Sequence, residues 1–407
     1  MASTHWNILS SWSKAGVGTS IVMELKKPPS SPSSSSPVDV RQNQPSAKKA
    51  SPRISFDIGA TRCFDDAIPA KYVFLSHGHV DHAGAMFSHA RAHSVSSGGT
   101  AATYFVPAQL MPQIEKCRDA MSLLDASNTH TDEEGGRKAS LISMNLVPVH
   151  PGDEVPLKGI HYGSKSKTSF FMRAFEVDHA GHPALGYAIG SRTSTGLKAE
   201  YKNLDAASIR DLVKSGVSIK ADPIEQIEVA YTGDTCARGL FRQSTGEGQE
   251  ESMIKEEMGP EQKPLRDVRQ IFQAELLLCE LTFLDSSEKD SQSKAMRRGH
   301  LHINDLERIF SSRNQFWKEN IDNEETETTP TTCQYPKNIV FYHLSAKYQP
   351  ARRALDLIAE GLPSQLRDRC HVAISSMLSQ EERSREHPVA RLIQPNGCIS
   401  IGEYTTH

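Results

Sequence analysis

Three histidines and an aspartate fall within six positions of one another in Phe74-Leu75-Ser76-His77-Gly78-His79-Val80-Asp81-His82-Ala83-Gly84. Imidazole and carboxylate groups suit a borderline cation such as zinc. The apolar run Tyr72 to Leu75 ends just ahead of them, and a strand that ends in a loop can aim alternate side chains at one point. Gly78, Ala83 and Gly84 are small enough for the backbone to crowd an ion. The plainer reading, a chance cluster on a surface loop, has to place several scarce histidines together by accident.

One cluster supplies too few ligands for two ions. His179 follows the apolar run Phe170 to Val177, Asp234 follows Ile227 to Tyr231, and His343 follows Ile339 to Tyr342. All three stand at strand ends, where sites gather in layered α/β folds. Each alone reads more simply as a turn residue; the repeated placement favours ligands.

The elements that must position these groups follow from periodicity. Tyr104 to Val106, Gly186 to Ile189 and Leu276 to Leu281 are further strand-length runs, and Ile54 to Gly59 is a strand ending in a tight turn. Residues 16–25 form a turn and a short strand. Leu110, Ile114, Cys117, Met121 and Leu124 recur as one helix face. Asn304 can cap a helix carrying Leu306, Ile309 and Phe310; Pro350 can open one that Gly361 ends. Strands interleaved with helices predict a layered α/β fold.

The 407 residues allow one large domain with insertions or two domains, and the net charge of −3 gives no general affinity for nucleic acid. Seven cysteines without a C-x-x-C pair argue against a disulfide framework and for a reducing compartment, with the cytoplasm as the expected location and the nucleus or an organelle as the alternatives. No apolar run approaches a membrane span, and Met1 to Trp12 lacks the pattern of a signal peptide. Residues 1–26 are expected to give a strand to the core, and the Ser/Pro-rich segment 27–52 to be a disordered insertion; 53–407 form the main domain. Residues 127–139, 243–265 and 318–332 read as solvated polar loops.

The order His77-x-His79-x-Asp81-His82, His179, Gly-Asp234-Thr and His343 resembles the metallo-β-lactamase superfamily. Phe56-Asp57-Ile58-Gly59, Pro183 to Tyr187, Glu280-Leu281-Thr282-Phe283, Gly299-His300-Leu301-His302 and His343-Leu344-Ser345-Ala346-Lys347-Tyr348 resemble the short form of the transfer RNA 3′-endonucleases, the tRNase Z family. The likeness runs from about residue 16 to about 360. It implies an αββα sandwich with a protruding RNA-binding excursion and polar loop insertions.

It also implies roles. His77, His79 and His179 would hold one zinc ion, and Asp81, His82 and His343 a second, with Asp234 bridging. Manganese or another divalent ion could substitute. Asp81 would orient or deprotonate the attacking water, and His300, backed by Glu280, would protonate the leaving 3′-oxygen. The substrate would be precursor transfer RNA, cut to leave a 3′-hydroxyl, and the enzyme a homodimer. The chain departs from the family pattern in an extra residue between His179 and Gly186, so that His182 competes with His179, and in Leu344 and Lys347. For Glu280 the alternative is a surface ion pair, and His302 reads as a polar residue ahead of a helix.

Residues 191–225 occupy the place of the family's transfer RNA grip. Arg192, Lys198, Lys202, Arg210, Lys214 and Lys220 face five carboxylates there, and Asp205 can cap a helix that Gly216 stops. Lys294, Arg297 and Arg298, just before His300, form a tighter basic cluster for phosphates. Two rivals stand beside the nuclease reading. One is another hydrolase of this fold, a thioesterase of the glyoxalase II kind or a small-molecule phosphodiesterase. The other is a non-catalytic RNA-binding relative, which would be expected to lack the full ligand set.

Overall fold

The computed structural model describes residues 5–26, 51–125, 142–161, 166–241, 268–288, 290–310 and 336–406. The polar loops expected at 127–139, 243–265 and 318–332, and nearly all of 27–52, lie outside the described residues.

Two sheets face each other. The first contains β1 (Trp6–Lys14), β2 (Gly18–Leu25), β3 (Arg53–Phe56), β4 (Ala70–Phe74), β5 (Ala102–Pro107) and β6 (Met144–Val149), side by side in chain order. The second contains β7 (Glu154–Pro156), β8 (Thr168–Glu176), β9 (Leu185–Thr193), β10 (Ile224–Tyr231), β11 (Leu276–Glu280), β12 (Asn338–Tyr342), β13 (Cys370–Ala373) and β14 (Cys398–Ser400), again in chain order. β3 to β6 and β10 to β13 run parallel, and antiparallel strands flank them. Parallel strands are covered on both faces, which explains their unbroken apolar runs.

The two-residue period of a strand sorts those runs into layers. On β12, Val340 and Tyr342 point between the sheets, with Phe56, Phe74, Phe105, Tyr187 and Tyr231. Ile339 and Phe341 point the other way, onto Leu355 and Ile358 of the helix Ala351–Gly361. On β4, Tyr72 and Phe74 face the second sheet while Val73 packs with Met86 and Ala90 of the helix Met86–Ser96. The order helix, sheet, sheet, helix is the αββα sandwich.

Each apolar run read from the sequence falls on a strand, although Leu75, Val177 and Leu281 lie one residue past the strand ends and the run from Ile54 leaves its strand after Phe56. β1 was not foreseen, because four of its nine residues are serine or lysine. Two of its three buried serines are bonded: Ser11 Oγ donates to Asn396 O at 2.7 Å, and Ser13 Oγ lies 3.1 Å from Thr19 Oγ1. The N-terminal segment is thus a hairpin, not one strand. The helix expected around 110–124 forms as Met111–Asp125, but its inward stripe is Met111, Ile114, Arg118 and Ser122. Cys117, Met121 and Leu124 face outward: the sequence face was one residue out of phase, and Ser122 faces inward because its hydroxyl pairs with Arg118 O and Ile142 N–H. Asn304 does precede a helical segment, but its side-chain oxygen takes Ser286 Oγ at 2.7 Å, and His302 Nδ1 accepts the Asn304 N–H.

Between β9 and β10 the chain leaves the sheet. None of residues 192–226 is buried. Asp205 caps the helix Ala206–Lys214 by accepting from Ala207 N and Ser208 N, and Gly216 follows its end at φ 79°. Arg173, Arg192, Glu154 and Glu225 form an ion-pair lattice at the root of this excursion, with N···O distances of 2.6–2.9 Å.

Candidate metal centre

The site lies where strands of both sheets end. β3 leads into Asp57, β4 into His77, β8 into His179, β10 into Asp234, β11 ends at Glu280 and β12 leads into His343. Asp57 and His343 take positive φ values, 54° and 64°, conformations that cost other L-residues energy and turn the chain sharply at the rim.

Asp57 is fully buried and ties the first ligand loop together. It accepts Ser76 N–H and Ser76 O–H at 2.7 Å each, His82 Nδ1–H at 2.7 Å and the Tyr231 hydroxyl at 2.5 Å. Those bonds decide which imidazole nitrogen is bare. His82 commits its Nδ1 proton to Asp57, His179 commits Nδ1 to Gly299 O at 2.9 Å, and His343 Nδ1 lies 2.9 Å from Thr282 Oγ1. His77 Nδ1 lies 2.9 Å from Ser76 Oγ, whose own proton goes to Asp57. Each Nε2 is therefore a free lone pair.

Those lone pairs face one another. His82 Nε2 and His343 Nε2 are 3.1 Å apart; His79 Nδ1 is 3.0 Å from His77 Nε2 and 3.3 Å from His179 Nε2. Asp234 Oδ2 stands 3.3 Å from His82 Nε2, 3.4 Å from His343 Nε2 and 3.8 Å from His77 Nε2. Asp234 is 1% exposed, and its Oδ1 has no hydrogen-bond partner. Converging lone pairs and an orphaned buried carboxylate oxygen are a poor arrangement for protein alone and a good one around cations. The ligand atoms group as His77, His79, His179; as His77, His82, Asp234; and as Asp81, His82, His343; His300 also falls in two such groups, with His179 and Asp234 and with Glu280 and His343. The residues present fit divalent metal.

The electrostatics agree. Burial, reinforced by His82, pushes the His77 pKa well down, and burial holds His179 at about 4, so both stay neutral ligands. Burial opposes charge on His82, but Asp234 and Asp57 outweigh it and raise its pKa: the position attracts a cation, whether proton or metal. Burial would raise Asp81, yet His343, His82 and the Gly16 N–H, 2.7 Å from its Oδ2, hold it far below the ordinary carboxylate range.

Beside the ligands stands a second cluster. Glu280 Oε1 accepts Leu301 N–H at 2.9 Å and lies 3.3 Å from His300 Nδ1; Oε2 accepts the Thr282 hydroxyl at 2.9 Å. Burial works against charge on His300, but Glu280 and then Asp234 raise its pKa. Its ring lies 5.1 Å from that of His179 and 5.3 Å from that of His343, centroid to centroid, between the two ligand groups. Gly299 can be nothing larger here: a Cβ would come within 2.6 Å of the His179 carbonyl carbon and of Ala180 N.

The remaining expected residues divide. His182 is exposed and belongs to none of the ligand groups among the described residues. His302 is buried and packs ahead of a helix. Lys294 and Arg297 lie on the helix Ser291–Arg297 and Arg298 follows it, directly before Gly299; Arg297 and Arg298 are exposed, and Lys294 Nζ lies 3.4 Å from Glu288. Lys202, Arg210 and Lys214 are exposed on the excursion, away from the ligand cluster. Sequence reasoning gave no role to Asp57, Thr282 or Gly16. The Asp-Ile-Gly after a strand and the Thr beside Glu280 were visible signals; the Gly16 N–H was not.

No family profile matches the chain. It is 28% identical over 254 residues to tRNase Z TRZ1 of Arabidopsis thaliana, covering 62% of this chain and 72% of that protein. It is 29% identical over 166 residues to the nuclear ribonuclease Z of Triticum aestivum, covering 41% and 79%. The chain is thus similar in sequence to proteins named tRNase Z. A match to the chloroplastic tRNase Z TRZ2 of Arabidopsis thaliana, 26% identical over 251 residues, covers 62% of this chain and 56% of that protein. Among solved structures, human tRNase Z short form is similar with a TM-score of 0.37 and 14% identity, covering 84% of this chain and 93% of that one. Unliganded yeast PDE1 is similar at 0.42 and 12%, covering 91% and 97%. No helix among the described residues is long and apolar enough to cross a membrane.

Proposed function

We propose that the chain is a zinc-dependent endoribonuclease that removes the 3′ trailer from precursor transfer RNA and leaves a 3′-hydroxyl. The observation that carries this reading is the His300–Glu280 pair set against two converging ligand groups. Similarity to tRNase Z proteins supplies the substrate class.

In this reading His77, His79 and His179 would hold one ion and Asp81, His82 and His343 another, with Asp234 available to both. Bound divalent ions would polarise the phosphodiester and lower the pKa of water. The chain's own groups do the rest. Asp81, kept anionic by the Gly16 N–H and its imidazole neighbours, orients the attacking water and accepts its proton. His300, its proton favoured by Glu280, donates to the leaving 3′-oxygen. Thr282 holds His343 and Glu280 in register. Lys294, Arg297 and Arg298 meet backbone phosphates beside the cut, and Lys202, Arg210 and Lys214 meet the body of the transfer RNA. A cytoplasmic location is supported by six free cysteines among the described residues. A homodimer rests on the family resemblance alone, and light scattering tests it.

The decisive experiment incubates the purified protein with a 3′-extended transfer RNA and maps both product ends. A 3′-hydroxyl on the transfer RNA and a 5′-phosphate on the trailer are expected. Intact RNA, with brisk hydrolysis of thioesters or cyclic nucleotides instead, would replace this reading with another hydrolase.

A further inference from the structure

The turn that carries His179 also carries an imidazole with no assigned task. Ala180 and Gly181 take φ values of 50° and 82°, and the His182 N–H closes the turn onto His179 O at 3.0 Å. Pro183 then fixes the exit of the chain. Such a turn has little freedom, so the position of His182 follows from that of His179. Its ring centroid lies 4.7 Å from His79 and 5.4 Å from His179, one imidazole layer outside the ligand atoms.

The rest of the cluster shows what a ligand histidine looks like here. His77, His82, His179 and His343 are each 2% exposed or less, with Nδ1 held by a hydroxyl, a carboxylate or a carbonyl; the exposed His79 differs, but its Nδ1 stands 3.0 Å from His77 Nε2 and 3.3 Å from His179 Nε2, among the ligand atoms. His182 is exposed, and among the described residues neither of its ring nitrogens has a hydrogen-bond partner. It has neither the supporting contact of His82 or His179 nor, unlike His79, a ring nitrogen in any ligand group among the described residues. It has instead what a substrate-binding group needs: a fixed position at the rim and an uncommitted donor. A neutral imidazole always carries one N–H, so the contact requires no change of protonation.

We propose that His182 is a substrate-contacting residue whose ring N–H donates to a non-bridging oxygen of the phosphodiester on the His77, His79 and His179 side of the site. This rests on the phosphodiesterase reading given above. A hydrogen bond to a charged acceptor strengthens binding roughly ten- to a hundredfold.

The test uses the full chain with His182→Ala and His182→Asn, the latter retaining a side-chain N–H. Metal per chain is measured by elemental analysis. Affinity is measured for a 3′-extended transfer RNA with an uncleavable phosphonate linkage at the cut site, and kcat/KM for the cleavable RNA and for bis(p-nitrophenyl) phosphate. The expected result is unchanged metal, a dissociation constant raised roughly tenfold or more in His182→Ala, and partial recovery in His182→Asn. Loss of metal in His182→Ala would make His182 a ligand and overturn the proposal. RNA affinity and kcat/KM within about twofold of wild type would leave a surface histidine and overturn it equally. If the wild type fails to cut the RNA but hydrolyses the small diester, the transfer RNA reading fails separately, and the same loss is then expected on the small diester.

Discussion

Replacing Asp57 by Asn tests whether one buried carboxylate organises the metal centre. The substitution keeps the volume, and Asn tolerates the positive φ of 54° at this position. What changes is the hydrogen-bond sign. Oδ1 accepts Ser76 N–H, and Oδ2 accepts Ser76 Oγ, His82 Nδ1 and the Tyr231 hydroxyl. With the amide oxygen in the Oδ2 position, the new NH2 faces the Ser76 N–H and leaves a buried donor unpaired; turned over, it faces three donors. One unpaired buried donor costs about 1–3 kcal/mol, and the surviving bonds weaken as their acceptor loses its charge. The metal-free protein should lose about 3–5 kcal/mol, a large share of the stability of an ordinary domain. His82 also loses the partner that holds its Nε2 toward Asp234, so metal affinity should fall about 10–100-fold. Urea denaturation in chelator reads the first effect, and competition against a zinc indicator reads the second. An unchanged urea midpoint together with metal affinity within about threefold of wild type would refute the reasoning.

Other substitutions separate the parts of the site. His77→Ala or Asp234→Ala should lose bound metal and activity together, and elemental analysis finding two ions retained per chain would contradict the assignment. His300→Ala should lower turnover by about two to four orders of magnitude with metal content unchanged, and Glu280→Gln should lower it less; single-turnover cleavage measures both. Deleting residues 203–216, which carry the helix Ala206–Lys214, should weaken binding of whole transfer RNA and spare hydrolysis of a small diester, and equal loss on both would count against the division. The buried His89, bonded to Tyr104 and Ala67, has its pKa pushed down by burial from 6.5 to about 4. The unfolded chain takes up that proton first, so stability present above pH 6.5 is lost progressively as pH falls toward about 4, by about 3 kcal/mol. Urea midpoints of the metal-free protein at pH 7 and 4.5 should therefore diverge more for wild type than for His89→Gln.

The candidate cluster was more legible in the sequence than the scaffold, for a physical reason. His77, His79, Asp81 and His82 are neighbours in the chain, and His179, Asp234 and His343 each follow an apolar run whose strand delivers them to the same end of the sandwich. Both signals are local. β1 was hidden because it is serine-rich, and the buried Ser11 finds its partner, Asn396 O, 385 positions away. The bond from Gly16 N–H to Asp81 was hidden because a backbone donor leaves no mark on residue type. The helix after Leu110 was legible as a helix but not in phase, since Ser122 finds its partners at Arg118 and Ile142.

The hairpin that reaches the site joins the two extremes of the chain. Ser13 Oγ accepts the His343 N–H, Ser376 Oγ donates to Ser13 O, and Ser11 bonds Asn396 across 385 positions. During synthesis, residues 11–14 therefore emerge long before the segments that fix them. At ribosomal speeds of about 5–20 residues per second, that interval is roughly 20 to 80 s, during which a serine-rich edge waits without its partners. The bond from the His343 N–H to Ser13 Oγ cannot form until residue 343 has emerged, so the turn that carries His343 is anchored to the hairpin late.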